Sequence, residues 1–446
     1  MPKCRLESVR KWIRLISVIG VIATFVALGV IHGTGNGYNL FTDTRLASTL
    51  LLAGATAVAS YALGIPDTIA TRRGIAAATI VSALFGAVSV SLVALAVGAP
   101  VLPRSVLGYG VLALIPWQLL CFRATADAAA TATTTRVIAV VNPLSADEIE
   151  SGLANDSEQR AELVAAVKPT AVEAIGLARP LEVLAEEMEA TMIVVDQEAQ
   201  LNESVVAQVA NIHATGRRVR SLSMFMEEWV GKVPLSELER TSLFFDVSEL
   251  HGSTYPRLKR VFDLVFCAVA LPPLAVLGIT VSIANMLFSG GARGPLLFRQ
   301  ERIGKGGEIF EILKFRTMHS SESSHWTTDD DARITPVGRV LRRTHLDELP
   351  QVINILRGDI SLVGPRPEQV DYVEELSEKL PFYNVRHIIR PGLTGWAQLK
   401  LGYTNDLAGA AEKLQYELFY LRHQGLSLDA RIIVKTLRHL FKEGGM

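Results

Sequence analysis

Apolar residues in the first third of the chain gather into four long runs, Ile13 to Ile31, Leu46 to Ile65, Ile75 to Val97 and Val101 to Phe122. Each approaches the ~20 residues that carry a helix across a hydrocarbon core, so the pattern predicts four transmembrane helices. The short link from Gly98 to Pro100 makes the third and fourth a tight hairpin. A cleavable signal peptide is the rival reading of the first run, which Arg10, Lys11 and Arg14 border. The three spans that follow and the lack of a small-residue cleavage site argue for a span instead.

After Phe122 the pattern changes. Ala124 to Thr134 is almost wholly Ala and Thr and reads as a linker or a helix extension. From Arg136 onward, short apolar runs alternate with helical periodicity. Strands are predicted at Val137–Val141, Ala171–Ile175, Thr191–Val195 and Arg218–Leu222, and helices at Ala161–Val167, Leu181–Met188 and Glu203–Ala214. Such alternation predicts a Rossmann-like parallel sheet covered by helices. The turn after the first strand is Asn142-Pro143-Leu144-Ser145, which lacks the glycines that let backbone amides approach a phosphate. That favours packing, regulation or oligomerisation, such as a homodimer, over nucleotide binding. Met224 to Val230 reads either as a helix docking on a neighbour or as a core-facing amphipathic helix, the second being preferred.

Apolar character returns from Val261 to Phe288, with Pro272-Pro273 in the middle. A straight crossing would put the α/β domain and everything after Phe288 on opposite sides of a membrane. Tandem prolines remove backbone donors and clash with the preceding turn, so the expectation is a kinked, re-entrant helix, with a fifth full span as the alternative. Lys259, Arg260 and Asp263 would stay at headgroup level. At the end of the chain, Asp429 to Lys442 lines Arg431, Lys435, Arg438 and Lys442 along one stripe. This suits either an interfacial helix or a core helix with a solvated face.

Composition fits a membrane protein. Mean hydropathy is +0.29, and 44 basic against 45 acidic residues leave no field suited to nucleic acid. Cys4, Cys121 and Cys267 are too few and too scattered for a disulfide framework or a zinc site. Lys3, Arg5, Arg10, Lys11 and Arg14 precede or open the first run, Arg72 and Arg73 lie between the second and third, and Arg123 follows the fourth. The other two loops carry only Arg45 and Arg104. Positive-inside counting places the N-terminus and all that follows Phe122 in the cytoplasm.

Chemistry concentrates late in the chain, in Thr344-His345-Leu346-Asp347-Glu348-Leu349-Pro350-Gln351, then Gly364-Pro365-Arg366-Pro367, then Arg390-Pro391-Gly392-Leu393-Thr394-Gly395-Trp396. Adjacent carboxylates among arginines suit phosphoryl transfer: one acid attacks phosphorus, its neighbour helps to hold a divalent ion, and the cations neutralise charge on phosphate oxygens. Gly304-Lys305-Gly306-Gly307 is not a P-loop, because the Gly-Lys-Ser/Thr ending is missing, and it reads as a hairpin turn.

Together with Phe298-Arg299-Gln300-Glu301-Arg302-Ile303-Gly304 and Lys314-Phe315-Arg316-Thr317-Met318, these runs make the region from Lys259 to Phe441 resemble the bacterial sugar transferase family. These are the monotopic phosphoglycosyl transferases, which move a sugar 1-phosphate from a nucleotide sugar to a polyprenyl phosphate. The layout resembles the long members, with transmembrane helices and a Rossmann-like domain ahead of a mainly helical transferase domain. The corresponding domains here are residues 1–123, a linker at 124–135, 136–250, and 251–446 with the re-entrant helix at 261–288. The resemblance implies a multi-pass protein of the bacterial inner membrane, in contact with lipid, whose catalytic domain faces the cytoplasm. It also implies a UDP-sugar donor, an undecaprenyl phosphate acceptor and the start of exopolysaccharide or other glycan assembly.

The resemblance further implies that Asp347 attacks the β-phosphorus to form a phosphosugar-aspartate, while Glu348 is the second acid. Glu348 is assigned to Mg²⁺, which favours one or two carboxylates plus phosphate oxygens and water. Pro350 would open a helix whose dipole lowers the dyad's pKa and keeps Asp347 ionised. Arg366, held between prolines, is the foremost phosphate contact; Lys314, Arg316 and Arg390 are weaker candidates for the same shell. Arg342 would orient the dyad or anchor the helix break. Thr394, Trp396 and Gln398 would approach the uracil or sugar, with Trp396 either stacking on the ligand or packing at the membrane interface. Two other readings compete: a catalytically silent scaffold for glycan enzymes, and another Mg²⁺-dependent phosphotransferase or lipid phosphatase.

Overall fold

The computed structural model describes all residues except 1, 37–39, 63–64, 66–71, 98–102, 131–133, 157–160, 174–177, 239–253, 289–295, 319–332, 402–405 and 444–446. The chain divides into two compact units, Met1–Thr133 and Thr134–Met446.

The first unit is built from α1 (Pro2–Asn36), α2 (Asp43–Ala62), α3 (Arg72–Val97) and α4 (Arg104–Ala130), which enclose all four apolar runs except the edges of the second and fourth. The Ala/Thr stretch extends α4 as far as Ala130. Val21, Phe25, Leu52, Ala53, Val90 and Leu114 form the interior. A buried hydrogen bond from Ser17 Oγ to Gln118 Oε1 (2.8 Å) ties α1 to α4, and one from Ser60 Oγ to Ser82 Oγ (3.0 Å) ties α2 to α3. Such bonds between apolar helices are worth about 0.6 kcal/mol each. Two segments of this unit, Leu15–Gly33 and Ser105–Thr125, are long and apolar enough by themselves to cross a membrane. Arg45–Ser60 and Ser82–Ser91 are shorter apolar stretches.

The second unit begins with the expected α/β domain, whose four parallel strands β1 (Thr135–Val140), β2 (Ala161–Val167), β3 (Met192–Val195) and β4 (Arg218–Ser221) run in the order β2-β1-β3-β4. Successive residues alternate faces, as the two-residue strand period demands. Val137, Ala139, Met192 and Val194 pack against Ile149 of α5 (Pro143–Asp156) and against Phe225 and Trp229. Ile138, Val140, Ile193 and Val195 pack under α6 (Pro180–Glu187), α7 (Gln197–Leu201) and α8 (Glu203–Ala214).

Two expectations fail in this domain. Residues 161–167, read as helix, form β2: the Ala-rich segment has helical propensity, but pairing with β1 from Thr135↔Ala161 to Val140↔Val167 overrides it. The weak strand expected at 171–175 is a 3₁₀ turn at Pro169–Val172, and 174–175 lie outside the described residues. The preferred reading of 224–230 holds. Helix α9 (Leu222–Phe225) continues into a π-helical turn, Met226–Val230, with Trp229 fully buried and stacked on Phe225 at 5.2 Å.

The crevice between the carboxyl ends of β1 and β3, where parallel sheets of this type bind ligands, is filled by the protein itself. Asp196 accepts hydrogen bonds from Asn142 N and Ala199 N (both 2.8 Å), and Glu237 accepts one from Gln197 N at 3.2 Å.

The remainder of this unit opens with α10 (Thr254–Phe288), which is helical through positions 272–273. Its polar N-terminal residues are bonded within the protein. Lys259 Nζ reaches Asp429 Oδ2 (2.6 Å), Arg260 caps the carbonyls of Ile355 and Leu356 (2.5 and 2.7 Å), and buried Asp263 accepts from Ser361 Oγ and Leu362 N (both 3.1 Å). Val261, Phe262, Val265, Val276, Ile279 and Ile283 are exposed along the same helix. Next come the hairpin β5 (Leu297–Ile303) and β6 (Ile309–Phe315), then α11 (Pro336–Arg343), α12 (Gln351–Arg357), β7 (Ser361–Val363) and α13 (Val370–Lys379). The chain ends with β8 (Gly392–Thr394), α14 (Trp396–Lys400), α15 (Leu407–His423) and α16 (Leu426–Glu443). The Gly304–Gly307 segment is the expected hairpin turn, with Gly306 and Gly307 at φ 71° and 83°. Helix α16 is anchored in the core through buried Asp429 and Ile432, while Arg431 is exposed, which favours the core reading with a solvated face.

Candidate active site

Helix α11 ends at Thr344, and the chain reverses at His345, one of three non-glycine residues with positive φ (55°) among the described residues. A left-handed residue costs free energy and persists where its surroundings over-determine it. Here Leu346 and Leu349 are drawn into a cluster with Val281, Phe315 and Leu341. The 3₁₀ turn Leu346–Glu348 thereby presents Asp347 and Glu348 immediately before α12, with Pro350 as its N-cap.

Glu348 Oε1 accepts from Lys314 Nζ at 2.8 Å and from Arg366 Nη2 at 3.1 Å. Residues from three separated motifs therefore meet at one oxygen. Burial acts to raise the Glu348 pKa, but Arg366 and Lys314 together outweigh it and hold it at about 2. Asp347 behaves oppositely to expectation. Burial raises its pKa, the neighbouring Glu348 charge raises it further, and Lys314, Arg342 and His345 offset only part. The expected lowering by a helix dipole is overturned: α12 has seven residues, and desolvation plus a like charge at the next position dominate.

Arg342 takes the anchoring role, donating to Thr317 Oγ1 and Met318 Sδ (both 3.0 Å) and so fixing α11 to the segment after Lys314. Arg316 is half-buried just beyond β6, and Arg390 is half-buried ahead of β8. Among the described residues, the ion pairs of the dyad are those of Glu348 with Lys314 and Arg366.

Strands β7 and β8 pair in parallel, Ser361↔Gly392 and Val363↔Thr394, so the two loops that follow them lie side by side. Their backbones touch. A Cβ on Gly392 would lie 2.0 Å from Gly364 N, and one on Gly395 would lie 2.3 Å from Gly364 O. Gly392 and Gly395 thus serve loop-to-loop packing, not the approach of a ligand. Thr394 Oγ1 is engaged with Thr436 Oγ1 (2.6 Å), and Gln398 lines a small crevice behind the loop with Gly364, Arg366 and Glu417. Trp396 is 1% exposed, with Phe419 stacked at 5.7 Å and Lys400 and Lys435 over its ring, so it has no face left for stacking on a base or sugar.

A second layer of charge supports the Arg366 loop and was not singled out from the sequence. Arg386 is fully buried, donates to both oxygens of Glu417 (2.7 and 2.6 Å) and to Tyr383 OH (3.2 Å), and holds the carbonyl of Arg366 at 2.8 Å. Glu368 pairs with Lys413 and lies 3.9 Å from Arg302. Burial works against its charge, but Lys413 and Arg386 prevail and hold its pKa at about 2. Glu368 directly follows the Gly-Pro-Arg-Pro run and was readable there. Arg386 and Glu417 lie 31 residues apart with no shared motif.

As a place for Mg²⁺, the site offers hard carboxylate oxygens, and both cation contacts of Glu348 fall on Oε1. No group of three or more His, Cys, Asp or Glu suited to a metal occurs among the described residues. One carboxylate completed by substrate phosphate oxygens and water is a coordination set that Mg²⁺ accepts, so the residues fit that ion.

The family profile described as Bacterial sugar transferase matches residues 254–443. A UDP-N-acetylgalactosamine-undecaprenyl-phosphate N-acetylgalactosaminephosphotransferase of Aeromonas hydrophila is 36% identical over 239 residues, 53% of this chain and 54% of that protein. A UDP-glucose:undecaprenyl-phosphate glucose-1-phosphate transferase of Caulobacter vibrioides is 39% identical over 199 residues, covering 42% of this chain and 73% of the relative. The exopolysaccharide production protein PSS of Rhizobium leguminosarum bv. phaseoli is 38% identical over 192 residues, 40% of this chain and 93% of its own length. The chain thus spans about half of the Aeromonas protein and most of the other two.

Proposed function

The chain belongs to the bacterial sugar transferase family, and from that membership we propose that it transfers a hexose 1-phosphate from a UDP-sugar to undecaprenyl phosphate, releasing UMP and starting the assembly of an exopolysaccharide or related glycan. The observation that carries this reading is the convergence of Lys314 and Arg366 on Glu348, beside a half-buried Asp347. The relatives' names supply the substrate classes, glucose in one and N-acetylgalactosamine in another, and leave the choice of sugar open.

In the proposed sequence an Asp347 carboxylate oxygen attacks the β-phosphorus. The bond from that phosphorus to the bridging oxygen breaks, and UMP departs with the oxygen and its electron pair. An oxygen of the polyprenyl phosphate then attacks the phosphorus of the adduct, restores the Asp347 carboxylate and yields polyprenyl diphosphate sugar. Desolvation of Asp347 favours attack, because a poorly solvated carboxylate gives up little hydration on reaching the transition state. In this reading Lys314 and Arg366 neutralise charge on the phosphate oxygens. Mg²⁺, held by Glu348, would supply further charge neutralisation at the diphosphate.

The reading includes a bacterial inner-membrane location, four crossings by α1 to α4, a cytoplasmic catalytic domain, and α10 entering and leaving by one face. Support for the last point comes from contacts at both ends of α10: Arg260 binds α12, and Val281 packs with Phe315 and Leu341 of the same domain. Its exposed apolar residues need a lipid-like surrounding.

Purified full-length protein incubated with Mg²⁺, undecaprenyl phosphate and a panel of UDP-sugars should release UMP with at least one donor. Asp347→Asn should lower turnover by about 10³-fold or more, and the wild type should carry a trappable phosphosugar adduct on Asp347. Wild-type turnover by Asp347→Asn would eliminate Asp347 as nucleophile.

A further inference from the structure

Trp396 occupies the joint between the two parts of the second unit. Among the described residues, the π-helical turn Met226–Val230 and the residues after it carry contacts from the α/β domain to the transferase; π turns are rare and recur at functional places. Glu227 accepts from Arg422 Nη1 at 2.5 Å and His423 Nε2 at 2.6 Å. The Gly231 carbonyl accepts Trp396 Nε1–H at 2.7 Å, and Val233 N donates to Gln415 O at 3.1 Å. Lys232, with its side chain 3% exposed, bridges Glu148 of α5 (3.8 Å) and Glu412 of α15 (3.3 Å). Val233 is buried inside the transferase's own apolar core.

Gly231 sits at φ +80°, and a Cβ there would lie 2.9 Å from the Trp396 ring, so the joint needs glycine on both counts. On its other side, Trp396 follows Gly395, which is packed on the carbonyl of Gly364, and Thr394 O accepts Gly364 N at 2.9 Å. Arg366 is two residues further on. The backbone at Trp396 is thereby joined to the loop through Gly395 and Thr394.

We propose that Trp396 is a positioning residue through which the α/β domain fixes the loop bearing Arg366, so that this domain sets the geometry of the phosphate contact while binding no substrate itself. The proposal rests on the transfer reaction put forward above. It gives the Gly231–Trp396 hydrogen bond a catalytic consequence that simple core packing does not have.

The test uses the full chain in lipid nanodiscs, with turnover expressed per folded molecule from thermal unfolding. Trp396→Phe keeps an aromatic ring against Phe419 and removes only the N–H donor and one ring. Gly231→Ala perturbs the same joint from the other side. Each should lower kcat by about tenfold, with KM for the UDP-sugar little changed, as expected when a group is displaced by a fraction of an ångström. Adding Trp396→Phe to Arg366→Lys should cost less than about twofold more, because both act on one interaction. Costs that multiply independently, or turnover per folded molecule equal to wild type in both single variants, would overturn the proposal. Absence of UMP release by the wild type would instead strike the proposed reaction, before any variant is compared.

Discussion

Glu368 and Glu348 are partly buried carboxylates held ionised by cations, each with a pKa of about 2 where an ordinary glutamate has 4.5. A pKa depressed in the folded state contributes stability that is present above 4.5 and is lost as pH falls toward about 2. The transferase should therefore unfold more readily with acid across that window, and Glu368→Gln should flatten the dependence while lowering stability at neutral pH. Melting temperatures of the two proteins between pH 5 and pH 3 (roughly the accessible part of that window) check this; parallel curves would contradict it. At this scale Asp347, Glu348, Lys314 and Arg366 were legible because their residue types in those motifs point to phosphoryl chemistry. The upward shift of the Asp347 pKa was not, since it depends on burial and on the charge of Glu348. Arg386 and Glu417 were invisible for another reason: their partnership is made only by tertiary folding. Removing one member of such a buried pair leaves an uncompensated charge at a cost of about 3–5 kcal/mol.

Among the elements, the long apolar helices and most of the α/β alternation were readable because burial imposes their periods. Strand β2 was not: as a half-exposed edge strand rich in alanine it carries no strand-like alternation, and only its pairing with β1 defines it. The partners of the polar start of α10 were not readable for a similar reason, because Asp429 and Ser361 lie 170 and 98 residues away from Lys259 and Asp263. Those partners bear on topology. A straight helix of 35 residues spans about 50 Å, enough to cross a bilayer, yet both of its ends are fastened to one domain. In a background lacking the native cysteines, single cysteines at Arg257 and Leu296 should react with a membrane-impermeant thiol reagent from the same side in oriented vesicles. Labelling from opposite sides would establish a full crossing.

For the molecule as a whole, the α/β domain has the topology of a nucleotide binder and an interior that opposes one. Asp196 and Glu237 sit on the amides at the start of α7, where a ligand phosphate would otherwise bind. Millimolar NAD or ATP should leave the melting temperature of the full chain unchanged, whereas a rise with either would reveal a site the geometry does not provide. The absence of glycines at Asn142–Ser145 hinted at this outcome, but the two carboxylates could be placed only once the fold was in hand. The glycines at 364, 392 and 395 carry a further implication for re-engineering the proposed transfer activity. Because the two loops meet backbone to backbone, any side chain introduced at those positions would wedge both apart at once. Libraries meant to broaden the choice of sugar should leave this triplet untouched and diversify the surrounding surface instead.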